Sequence, residues 1–221
     1  VYCHYIDGDD YVVKGCYSDI FKIINKKEPD LIFGSFICTP EEGARYLSDA
    51  VFDAERINSV SYEKAVDYIS NTPHFHGMHW RYIFKKELIS LSKTTAGVGT
   101  DEVFIIALFA NAKSIFYYDK PFYNYRMRNN QSLTSIISNE HIASYFKNIP
   151  LMLRILAEHT RIKSFILSRV IIMLKLFSAG CDRLSQNELK ELANSIEQSK
   201  SFSLLEEISK PNDFYDFKAR Y

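Results

Sequence analysis

The order strand, helix, strand in the first 37 residues constrains this chain more than any other feature. Val1–Ile6 (VYCHYI) is short, aromatic and β-branched, and reads as a buried strand ending in the acidic run Asp7-Gly8-Asp9-Asp10. Tyr17–Asn25 then has helical spacing, with Ile20, Phe21, Ile23 and Ile24 on one stripe and Lys26 to Pro29 closing it. Asp30–Ile37 (DLIFGSFI) is a second strand. Two strands joined through a helix form a crossover, the building unit of an α/β sheet.

The rest of the chain divides by pattern. Ser61–Ser70 reads as a helix capped by Ser61, and a histidine-bearing loop (TPHFHGMHW) follows. Trp80–Ile89 reads as partly helical, and Gly97 and Gly99 mark a loop. Asp101–Ala112 is apolar nearly all round and predicts a buried helix. Ser114–Tyr118 predicts a strand, Asp119–Pro121 a turn, and Phe122–Arg126 another extended piece. From Asn139 onward only helices are expected, at Glu140–Ala157, Ile162–Ser178, Ser185–Ser199 and Phe202–Ile208. A length of 221 residues suits one domain plus such an appendage. The 27 basic and 27 acidic residues cancel, which excludes a dedicated nucleic-acid binder.

Three constellations carry chemistry. Carboxylates at the end of a strand, as at Asp7, Asp9 and Asp10, stand where α/β sheets bind ligands. Crowded acids repel unless a cation joins them, and hard oxygens suit Mg²⁺ or Mn²⁺ shared with a diphosphate. The alternative is an acidic turn that caps the next segment. Thr100, Asp101 and Glu102 open the buried helix. They serve either as cap and dipole partners or as a general base aimed into a cleft. Arg126 and Arg128 follow an aromatic segment, as phosphate-binding arginines or as edge-strand charge.

In this order the pieces resemble the family 2 glycosyltransferases of GT-A fold. That family pairs an apolar strand ending in D-x-D-D with a later E-D-x-x-F helix start, then a strand and a P-L-Y-x-Y-R segment with a Ser shortly after. This chain has HYIDGDDYV, GTDEVF and SIFYYDKPFYNYRMRNNQS, and WRYIFKKEL is similar to the family's W-x-K-L-Y-K-x-x-L. The resemblance implies a partial GT-A α/β sheet with helices over residues 1–136, the C-terminal part of a catalytic domain, and an all-α appendage over 137–221. It implies an inverting sugar transfer from a nucleotide-sugar, UDP-linked in most members, to an acceptor hydroxyl, with Mn²⁺ or Mg²⁺ as cofactor. Asp9 matches the main metal ligand, and Asp7 the acid near ribose and metal, with Asp10 completing the cofactor-binding run. Asp101 matches the general base, aligned by Phe104. Thr100 replaces the family's Glu, so Glu102 is the alternative base. Arg126 and Ser132 match the segment that closes over the diphosphate, and His76, His79 and Trp80 lie on the acceptor side.

The family's nucleotide-binding half precedes the D-x-D and is absent here. The expectation is that these 221 residues alone do not bind a nucleotide-sugar normally. The acceptor expected is a saccharide or lipid-linked molecule in bacterial surface-polysaccharide synthesis. The four cysteines form no CxxC pair and suit a reducing compartment, so the cytoplasm is expected, with the inner face of the membrane as a further option. No apolar run approaches a membrane span, since Arg169 and Lys175 break Phe165–Phe177. Arg161, Lys163, Arg169 and Lys175 are expected on the solvated face of a packed helix, with peripheral membrane contact through these helices as the alternative. Three competing readings stand beside the transferase. His74, His76 and His79 have a spacing zinc uses. A haloacid dehalogenase-type phosphatase would take Asp7 as nucleophile and Asp9 as acid/base. A truncated, non-catalytic domain would bind a partner through its helices.

Overall fold

The computed structural model describes residues 1–48, 52–72, 75, 77–91, 100–127, 138–199, 201 and 203. The chain divides into two compact units, Val1–Lys93 with Ala107–Ile136, and Thr94–Ile106 with Ile137–Tyr221.

The first unit holds β1 (Tyr2–His4), β2 (Tyr11–Val12), α1 (Cys16–Lys27), β3 (Leu31–Pro40), β4 (Tyr46–Leu47), α2 (Ala54–Asn58) and α3 (Tyr62–Ser70). β5 (Tyr82–Lys85), α4 (Glu87–Leu91), the second half of α5 (Thr100–Asn111) and β6 (Ile115–Met127) complete it. The strand order is β1-β5-β3-β6-β2, with β4 paired to β3. β1 and β3 are each antiparallel to β5, so they run the same way with β5 between them, and the expected crossover is present in that form. β3 pairs with β6 in parallel. The predicted first strand is shorter and only half-buried, because β1 is three residues at the end of that strand order.

β3 is covered on both faces, which is why DLIFGSFI does not alternate. Ile32, Phe36 and Cys38 pack with Cys16 and Ile20 of α1 on one side. On the other, Phe33 meets Phe52, Tyr82 and Tyr117, and Tyr82 meets Phe109 of α5. Trp80–Ile89 is partly helical as expected, with α4 starting at Glu87, and the same double coverage makes its middle a strand. Tyr82, Ile83 and Phe84 are all buried between two strands, so the middle of that segment is β5, preceded by a 3₁₀ turn at His79–Arg81.

The turn expected at Asp119–Pro121 is instead a bulge inside one continuous strand, β6. Gly34 faces Tyr118 and Phe36 faces Tyr123, so β6 spends three more residues than β3 over that stretch. Pro121 has no N–H for the ladder and sits where the ladder is interrupted. The bulge presses on Gly34, where an added Cβ would lie 2.8 Å from the Tyr118 carbonyl oxygen and 2.9 Å from the Phe122 ring.

The second unit contains the first part of α5, through Ile106, with α6 (Asn139–Glu158), α7 (Lys163–Cys181) and α8 (Gln186–Glu197). These are the predicted C-terminal helices within a few residues at their ends. The segment Phe202–Ile208 lies outside the described residues apart from Ser203. Ser185 and Glu188 form a reciprocal capping box at the start of α8. Ile142, Ala143, Leu192 and Ile196 form a small core, and Gly180 lets Ile142 approach. Arg161, Lys163 and Lys175 are exposed as expected, but Arg169 is not: it is buried and paired with Glu102. Thr160–Cys181 is long and apolar enough to cross a membrane by length and composition, contrary to the expectation that no run reaches that size. A core helix has the same composition, and Phe165, Ile166, Val170 and Met173 of α7 are buried.

Candidate active site

The acidic turn follows β1. Gly8 and Asp9 form its tip, and the Asp10 N–H donates to the Asp7 carbonyl at 3.1 Å. β2 then joins β6 beside Tyr123 and Asn124. The turn is pinned from β6 by one phenol. The Tyr123 hydroxyl accepts from the Asp7 N–H at 3.1 Å and donates to Asp10 Oδ2 at 2.9 Å. The Arg126 N–H donates to Asp10 Oδ1 at 2.7 Å. Both oxygens of Asp10 therefore serve the scaffold. Burial pushes the Asp10 carboxyl above its usual range, with the Arg126 and Tyr123 hydrogen bonds opposing. Burial likewise holds the Tyr123 phenol well above the ordinary tyrosine value, so it remains a hydrogen-bond donor.

The ring of Tyr123 is fixed by stacking. Trp80 lies 4.4 Å from it at 9°, and Tyr125 covers the indole at 5.5 Å and 15°. Phe36 meets Trp80 edge-on at 4.9 Å. Trp80, expected on the acceptor side, is 3% exposed and works as a packing element behind the turn rather than as an open sugar platform. His4 ties this cluster to β1 and α1. Its Nε2 lies 2.7 Å from the Trp80 carbonyl and its Nδ1 2.8 Å from the Tyr17 hydroxyl. A carbonyl only accepts, so Nε2 carries the hydrogen and Nδ1 accepts from Tyr17. Burial lowers the His4 pKa, which favours this neutral form.

Asp7 keeps a side chain 42% exposed, with His79 Nε2 at 3.6 Å from Oδ1, and the His79 ring meets Tyr5 edge-on. Asp9 is exposed at the tip of the turn, and Arg126 is exposed nearby in sequence on β6. The structure thus brings Asp7, Asp9, Asp10, His79 and the Arg126 backbone to one turn. Among the described residues no group of three or more His, Cys, Asp or Glu is placed to hold a metal ion. His74, His76 and Ser132 lie outside the described residues.

Asp101 and Glu102 stand in the first turn of α5, within the second unit. Arg169 of α7 grips Glu102 with two hydrogen bonds, Nε to Oε2 at 2.9 Å and Nη2 to Oε1. The side chains are 7% and 14% exposed. Sequence reasoning missed Tyr123, His4 and Arg169. Tyr123 sits inside the PFYNYR segment that the family resemblance singled out, so a signal existed. No sequence signal marks His4, whereas Arg169, expected in solvent, is visible as a charge interrupting an apolar helix.

No protein-family model matches this sequence, and no curated protein matches at a significant level. Solved structures do match. S. aureus TarS 1-349 in complex with UDP-GlcNAc superimposes with a TM-score of 0.64 at 15% identity, covering 87% of this chain and 55% of that one. The same protein in complex with UDP gives 0.61 at 13% identity, over 86% of this chain and 52% of that one. The chain therefore spans about half the length of these structures. The likeness shows the fold, a partial GT-A-like α/β sheet with a helical C-terminal region.

Proposed function

We propose that this chain is part of a family 2 glycosyltransferase that moves a sugar from a nucleotide-sugar to an acceptor hydroxyl with inversion. The observation that carries the reading is the acidic turn Asp7–Asp10, anchored by Tyr123 on a fold like those solved with UDP and UDP-GlcNAc. The donor is accordingly UDP-linked. The haloacid dehalogenase reading gains no support from this fold.

Asp7 and Asp9 supply two hard carboxylates, the number that Mg²⁺ or Mn²⁺ needs when substrate phosphates complete its shell. Bound there, the ion would offset charge on the leaving diphosphate. Asp10 keeps the turn in shape, and Arg126 and Ser132 are assigned to the diphosphate. Asp101 accepts the proton of the acceptor hydroxyl as its oxygen attacks the anomeric carbon, and the C–O bond to the diphosphate breaks. The bidentate grip of Arg169 on Glu102 favours Asp101 over Glu102 for that role. His79, which lies beside Asp7, and His76 are assigned to recognition of the acceptor, a saccharide or lipid-linked molecule of a bacterial surface polysaccharide. The setting is the cytoplasmic face of the membrane, touched by the C-terminal helices.

Paramagnetic broadening by Mn²⁺ tests the donor site even at weak affinity. With UDP present, Mn²⁺ should broaden the backbone amide signals of residues 7–10 first, and Asp9→Asn should remove the effect. Broadening centred elsewhere, or indifferent to Asp9→Asn, overturns the assignment.

A further inference from the structure

We propose that Arg169 is a positioning residue for the base Asp101, acting through Glu102. This rests on the transferase reading for its catalytic meaning, but the clamp itself is a statement about the second unit. Arg169 lies in the apolar middle of α7, among buried Phe165, Ile166, Val170 and Met173. Burying a guanidinium is costly unless a carboxylate meets it with good geometry. Glu102 meets it bidentately, with both side chains nearly out of solvent. An apolar residue would pack α7 equally well, so the arginine adds location rather than packing.

What it locates is the turn that carries Asp101. The first turn of a helix lacks intrahelical acceptors for its N–H groups and frays most easily. Here that turn clusters with the helical unit, while the rest of α5 belongs with the sheet. Arg169 fastens the turn one residue beyond the base. It also neutralises the carboxylate next to Asp101. The C-terminal helices are therefore part of the catalytic apparatus rather than an appendage to it.

The test has two readouts. Hydrogen exchange of the Phe104, Ile105 and Ile106 amides, whose helical acceptors lie in the first turn, should speed up at least about tenfold in Arg169→Gln, with α8 amides unchanged. Equal exchange in wild type and variant overturns the clamp, whatever the enzyme does. In transfer assays on the full-length protein that contains this chain, Arg169→Gln should lower kcat about ten- to hundredfold with the donor KM unchanged, and Arg169→Lys should recover part of it. Because removing one partner of a buried pair can unfold the unit, the double variant Glu102→Gln/Arg169→Met removes both charges together. Positioning predicts a folded double variant with kcat still low, whereas restored kcat makes the pair merely structural and overturns the proposal. A full-length wild-type protein containing this chain that shows no transfer at all defeats the transferase reading, and the exchange result still decides the clamp.

Discussion

The two acidic clusters of this molecule, one in each unit, solve the same problem in different ways. At Asp7-Gly8-Asp9-Asp10 the surplus acid is Asp10, absorbed by a phenol and a backbone N–H from β6. At Asp101-Glu102 it is Glu102, absorbed by a buried guanidinium from α7. Neutral donors leave the charge on Asp10 partly uncompensated, and burial raises its pKa. A cation compensates the charge on Glu102 outright. In both cases one carboxylate of the run is spent on holding the turn. A run of acids is therefore a division of labour that side-chain partners decide.

The largest effect should come from the proposed base of the second unit. Asp101→Asn should cut transfer by at least about a hundredfold, the usual worth of a general base, while UDP affinity and melting temperature hold. Loss of UDP affinity in step with kcat would mean that Asp101 belongs to the donor site and would dissolve the comparison. A smaller effect should come from the anchor of the first cluster. Tyr123→Phe keeps the stack on Trp80 but removes the Asp7 N–H acceptor and the Asp10 donor. It should cost about 1–3 kcal/mol in denaturant unfolding and weaken UDP–Mn²⁺ binding several-fold. Unchanged binding would show that Asp10 needs no anchor.

Much of the scaffold was legible because local patterns dominate it. α1, α6 and α8 follow apolar spacing, while α5 and α7 are apolar runs of helical length. β5 was hidden because Tyr82, Ile83 and Phe84 are buried on both faces and carry no period. The long β6 was hidden because Pro121 reads as a turn where the strand merely bulges against Gly34. In the site, the acids themselves were visible, but their roles depend on partners far away in sequence. Tyr123 reaches Asp7 across 116 residues and Arg169 reaches Glu102 across 67, distances over which no spacing rule operates.

A third carboxylate, outside both clusters in sequence, sets the baseline for a purely structural anchor. Asp30 precedes β3, accepts from Lys85 Nζ at 2.8 Å and from the Lys113 N–H at 2.7 Å, and its side chain is 13% exposed. Burial by itself would push its carboxyl up, but the Lys85 ammonium and the Lys113 N–H win, and its pKa lies below the ordinary Asp value. That is the reverse of Asp10, whose donors are neutral. A carboxyl with a depressed folded pKa binds fewer protons when folded than when unfolded. Its stabilisation is thus complete above the ordinary Asp range, near pH 4, and is lost as pH falls through the lower folded value. Asp30→Asn should therefore cost about 1–2 kcal/mol at pH 7, with the gap to wild type closing in acid, and should leave UDP binding untouched. Denaturant titrations across an acid series check this. For Asp10 the sign is opposite: its raised pKa means that ionisation costs stability as pH rises from the ordinary Asp value through the folded one. A gap that closes in acid at Asp30 but not at Asp10→Asn would separate an acid kept for the fold from one kept for the turn.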